Sequence, residues 1–151
     1  MRQIWSHMSS SRIKDLSEVL NDKSVGRKEI KSGVNLHHMG AFNVNEHQLI
    51  KPFWAYECLR KTEDKYGNFE VKSKFYTKAE TIKNLTVLDL KGTSLMMLCE
   101  EFKVYDHTIW NDLLAKALDY LKCDALTYSD DEIFIACPDK SVRVLFSNEN
   151  S

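Results

Sequence analysis

Trp110, Leu113, Leu114, Ala117, Leu118 and Leu121 recur at i, i+3, i+4, i+7, i+8 and i+11. That broad apolar stripe predicts a helix over 108–122, with Thr108 as its N-cap and core packing as its role. A second helix is predicted for "SSRIKDLSEVLND", residues 10–22, where Ile13, Leu16 and Leu20 share a face and Ser10 or Ser11 caps the first amides. The apolar run before it, residues 2–8, predicts a first strand ending at His7 and Met8, and residues 22–34 read as loop. The stretch 35–56 has no clear period, although "LIKPFWAY" has strand composition, with Pro52 suited to an edge. "FEVKSKFY", 69–76, alternates as a half-buried strand does, and "NLTVLDL", 84–90, is apolar enough for the middle of a sheet. "TSLMMLCEEF" predicts a short helix. The C-terminal third reads as strands, "DALTY", "EIFIAC" and "SVRVLF", separated by an acidic turn and a Pro-Asp turn.

Helices beside many strands, with no repeat and no low-complexity linker, predict an α+β fold in one domain over 1–151, its strand-rich sheets mixed or antiparallel and flanked by helices. A content of 43% hydrophobic and 28% charged residues sets the chain apart from disordered ones. No apolar run approaches the roughly 18 residues of a membrane span, and no secretory signal is evident, so a cytoplasmic protein is expected. Cys58, Cys99, Cys123 and Cys137 form no CxxC pair. They read as free, mostly buried thiols rather than a zinc or redox site. The net charge of −1 implies no strongly basic surface overall. Only "KSVGRKEIKSG", 23–33, is locally basic, read as a solvated loop ahead of an anion-contacting one. There is no Walker loop and no GxGxxG. His37, His38 and His47 fit no common metal-ligand spacing and read as a histidine-bearing loop near a pocket mouth, so no metal is expected.

Two stretches together resemble the ADP-ribosyltransferase-like superfamily. "IWSHMSSSRIKDLSEVL" is similar to its first motif, a strand ending in histidine followed by small residues and a helix. "YLKCDALTYSDDEIFIACPDKSVRVLF" is similar to its closing segment, in which a glutamate opens a strand. Between them, "PFWAYECLRKTEDKYGNFEVKSKFYTKAETIKNLTVLDL" follows the expected order of the middle, so the likeness runs through most of the chain. It implies NAD as substrate and a His-Tyr-Glu site. In that alignment His7 meets the ribose, Met8 and Ser9 hold the nicotinamide carboxamide, and Glu132 is the catalytic glutamate beside His7. Asp131 replaces Glu132 if the register slips by one.

The chain departs from the family pattern in two places. Met8 stands where glycine is usual, and Phe53 or Trp54 falls in the tyrosine position, with Tyr56 nearby. Each site residue also has a plain reading: His7 as an exposed strand end, Phe53 and Trp54 as core, Glu132 as part of an acidic turn with Asp130 and Asp131. The chemistry implied by the resemblance is transfer of ADP-ribose from NAD to a protein or nucleic-acid acceptor. A carboxylate is needed there because losing nicotinamide leaves an oxocarbenium-like ribose. Small members of the superfamily occur in phages and mobile elements, which suits a role in phage–host conflict within a host cytoplasm. The alternative is an inactive binding protein that keeps the fold and inhibits a host or defence protein. RNA 2′-phosphate transfer, a third chemistry on this fold, needs a basic pocket for which only residues 23–33 are candidates. Acceptor and oligomeric state are left open.

Overall fold

The computed structural model describes residues 2–38, 52–56, 75–128 and 132–149. Its elements run α1 (Arg2–Lys23), β1 (Gly26–Ile30), β2 (Asn35–His38), β3 (Phe53–Tyr56), β4 (Phe75–Thr81), β5 (Leu85–Asp89), α2 (Leu95–Phe102), α3 (His107–Tyr120), β6 (Ala125–Thr127), β7 (Glu132–Ile135), a single turn α4 (Pro138–Ser141) and β8 (Val142–Glu149). The fold is α+β. The eight strands among the described residues form one sheet in the order β1-β5-β6-β7-β3-β2-β4-β8, antiparallel except for the β5–β6 pair. A parallel pair needs a long crossover, and α2 and α3 supply it.

Both faces of the sheet are buried, and strand alternation sorts residues between them. One face packs under the helices, where Leu88, Leu126 and Phe134 meet Leu16 and Leu20 of α1 and Trp110, Leu114 and Leu118 of α3. The opposite face closes on itself. Ile30, Leu36, Phe53, Ala79, Leu85, Ala125, Ile135 and Val142, one from each strand, belong to a second core that contains no residue of a described helix. The connection between β1 and β2 tightens this fold-over: Gly33 N donates to Thr81 O and Thr81 N to Val34 O, at 2.8 and 2.9 Å.

Helix ends are built from local polar chemistry. Asp106 is the N-cap of α3, its Oδ1 accepting from Thr108 N and Ile109 N at 2.9 and 3.0 Å, in place of the expected Thr108 cap. A carboxylate at that position satisfies two orphan amides and faces the positive end of the helix dipole. Ser94 caps α2, which Lys103 ends in a left-handed conformation (φ 55°), turning the chain toward α3.

Four expectations are corrected. The strand predicted over 2–8 is helical, because α1 starts at Arg2. No proline or glycine interrupts 2–23, and extending a nucleated helix costs far less than starting one. Within the predicted loop 22–34 lies β1, an edge strand whose residues are exposed apart from Ile30, so its composition imitates a loop. His37 and His38 likewise lie on β2, not in a loop. The Pro-Asp turn is the short helix α4. The strand expected over 69–76 overlaps β4 only at its end, and residues 69–74 lie outside the described residues.

Among the described residues no helix is long and apolar enough to cross a membrane. Cys99, Cys123 and Cys137 are free thiols, whereas Cys58 lies outside the described residues.

The packing under α3 predicts that Leu114→Ala, which empties a fully buried position, destabilises the fold by about 2–5 kcal/mol. Removing the α3 cap with Asp106→Ala costs about 1 kcal/mol. Urea unfolding monitored by circular dichroism measures both.

Candidate active site

Strand register lines up a row of polar side chains across the helix-covered face. Tyr56 of β3 pairs with Glu132 of β7 on one side and with His37 of β2 on the other, and His37 pairs in turn with Lys78 of β4. Directly paired residues project to the same face, so Lys78, His37, Tyr56 and Glu132 stand in sequence on four neighbouring strands. At the usual strand spacing His37 and Glu132 are about 10 Å apart, with Tyr56 between them. The Tyr56 hydroxyl donates to Glu132 Oε1 at 3.3 Å, and the Tyr128 hydroxyl, at the end of β6, reaches Glu132 Oε2 at 3.5 Å. Tyrosine hydroxyls thus reach both carboxylate oxygens.

Beyond Glu132 the row opens into a cleft of about 460 Å³ between the sheet and the α2–α3 crossover. Trp54, Tyr128 and Glu132 form its floor, with Trp110 and His107 of α3 and Glu100 of α2 among its walls. Trp54 and Tyr128 meet edge-to-face, ring centres 5.6 Å apart and planes at 89°, and Trp54 leans on Phe134 at 5.0 Å. Two perpendicular aromatic walls are held in place by core packing.

The two adjacent histidines divide between faces. His38 turns to the second core, packs edge-to-face on Phe53 and lies with Nδ1 2.6 Å from the Trp54 carbonyl. A carbonyl only accepts, so Nδ1 carries the proton, and His38 is a structural histidine. Burial pushes its pKa below the ordinary 6.5, partly offset by that hydrogen bond. His37, 7% exposed on the row, is also lowered, first by burial and then by the Lys78 charge.

Of the residues singled out by sequence, the structure brings together Trp54, Tyr56 and Glu132. Phe53 is on the opposite face, buried in the second core, as its alternation with Trp54 requires. The side chains of His7, Met8 and Ser9 lie outside the described residues, as does Asp131, although the strand that was to deliver His7 is helix α1. Sequence reasoning missed His37 as a site residue. The available signal was the order Leu36-His37-His38, in which an apolar residue and the second histidine flank a polar position of opposite facing. His47 lies outside the described residues, and among those described no group of three or more histidines, cysteines or carboxylates is placed to hold a metal.

No known protein-family profile matches the chain, and no curated protein sequence does. Among solved structures, the chain is similar to the crystal structure of the M. tuberculosis MbcT–MbcA toxin–antitoxin complex. The identity is 12% and the TM-score 0.42, over 89% of this chain and 91% of that one.

The lowered pKa values of His37 and His38 carry a sign for stability. Below the ordinary pKa of 6.5 the unfolded chain binds protons that the folded chain does not, so stability is retained above that pH and lost as pH falls beneath it. The melting temperature is expected to drop between pH 6.5 and 5.5 in scanning calorimetry. His38→Gln, which keeps a donor for Trp54 O and cannot charge, is expected to flatten that drop.

Proposed function

We propose that the protein binds NAD against the His37–Tyr56–Glu132 row and transfers ADP-ribose to a protein or nucleic-acid acceptor. The observation that carries this reading is the row itself. A histidine, a tyrosine and a glutamate share one face on three adjacent strands, with Tyr56 bonded to Glu132 and an aromatic-walled cleft alongside. His37 takes the histidine role that sequence resemblance gave to His7, and Tyr56 takes the tyrosine role in place of Phe53 or Trp54.

Chemistry assigns each group a task. The bond from ribose C1′ to the nicotinamide nitrogen breaks, and its electron pair leaves with the nicotinamide. Glu132, held by two phenol hydroxyls, stabilises the positive charge that develops on the ribose. The acceptor's nucleophile then bonds to C1′, and its proton passes to Glu132 or to water. His37, whose pKa is lowered by burial and by the Lys78 charge, takes the histidine's place on the ribose side of the row as a neutral imidazole. Trp54, half-buried beside the row, supplies an aromatic face for the nicotinamide.

Isothermal titration with NAD, paired with an assay for released nicotinamide in the presence of cell lysate as an acceptor source, tests the reading. Glu132→Gln is expected to retain NAD binding and to slow release by at least ~100-fold. Tyr56→Phe, which removes one hydrogen bond to Glu132, is expected to slow it by about tenfold. Binding without release would favour the alternative, a binding protein that keeps the fold without its chemistry. Absence of NAD binding by the folded wild type would overturn the nucleotide reading.

A further inference from the structure

The α2–α3 cleft extends past the polar row, and its lining has a chemistry of its own. Trp54 and Tyr128 present two aromatic walls at right angles, and Trp110, 5% exposed, backs the cleft from α3. Two carboxylates look onto this space from opposite sides, Glu132 from the sheet and Glu100 from α2. Asp106 also borders it, with one oxygen committed to the α3 cap. Aromatic faces attract cations through their quadrupole, and a carboxylate at each side fixes a cation's position. An anionic group would instead meet both carboxylates.

At the mouth stand Met96 and Tyr105, each 74% exposed. A small ion would leave that apolar rim uncovered, whereas a side chain still attached to a polypeptide would lay its neighbouring residues over it. Planar guanidinium stacks on aromatic rings and bonds carboxylates in a fork, which ammonium does not do. We infer that the α2–α3 cleft is a binding site for an arginine side chain of a protein partner, with guanidinium between the Trp54–Tyr128 corner and Glu132 and Glu100, and the flanking partner residues on Met96 and Tyr105. If the protein transfers ADP-ribose, this site determines that the polypeptide meeting Glu132 is basic. The inference itself rests on the cleft and does not require that chemistry.

The test uses the full chain and two pentapeptides, acetyl-Ala-Ala-Arg-Ala-Ala-amide and its citrulline counterpart, which keeps the shape and lacks the charge. Titration is followed by tryptophan fluorescence and calorimetry at low salt, without NAD. The arginine peptide is expected to bind at least ~10-fold more tightly than the citrulline peptide, and to weaken as salt is raised. Glu100→Gln, on an exposed helical position, is expected to reduce arginine affinity several-fold while leaving the melting temperature unchanged. Equal affinity for both peptides, or no binding of either to the folded chain, would overturn the inference. A parallel NAD titration separates the two readings. Discrimination between the peptides without NAD binding retains the arginine site and removes the nucleotide reading. NAD binding without discrimination does the reverse.

Discussion

The architecture depends on a sheet that must bury both of its faces, and the central strands β3 and β7 carry most of that demand. Along β3, Phe53 and Ala55 enter the core formed by the folded-over sheet, while Trp54 and Tyr56 turn toward the helices. Along β7, Ile133 and Ile135 accompany the first pair, and Glu132 and Phe134 the second. A slip of one residue would send Tyr56 and Glu132 into an apolar core and turn two isoleucines out of it toward the helix side, so packing holds the register firmly. The polar row on the helix side is thus fixed by the apolar residues behind it.

The same constraint shapes the cleft. The parallel β5–β6 pair forces a long crossover, and α2 and α3 occupy it, burying Leu98, Leu114 and Leu118. Near the end of β6 the crossover no longer covers the sheet, and the cleft opens beside Tyr128 and Glu132. A polar residue is tolerated at Glu132 because two tyrosine hydroxyls reach it, and at His37 because the imidazole stays neutral. Stability and site geometry draw on the same strand pairings, so substitutions in the second core are expected to disturb the row through register before they touch it directly.

Much of the fold is legible in residue order. The stripe from Trp110 to Leu121 specifies α3 because 3.6-residue spacing leaves it no other way to hide so much apolar surface. "NLTVLDL" specifies β5, buried on both faces and therefore uniformly apolar. Where one face is not buried the signal fails: β1 is almost wholly exposed and looks like a loop. The N-terminal segment misleads for a different reason. Its composition suits a strand, but with no breaker between it and the helix that follows, helix propagation prevails.

For the candidate site, sequence alone determined the ingredients: a glutamate opening a strand, an aromatic strand at "PFWAY" and a histidine pair in an unreadable stretch. Local physics suffices there, since a strand's alternation and a helix's period are properties of neighbouring residues. Which histidine stands beside Tyr56, and that Trp54 rather than Phe53 faces the cleft, was decided only by tertiary structure. Those outcomes depend on the pairing of strands that begin at residues 35, 53, 75 and 132. Long-range register is set by the joint burial of two cores, and no short window of sequence contains both sides of that pairing.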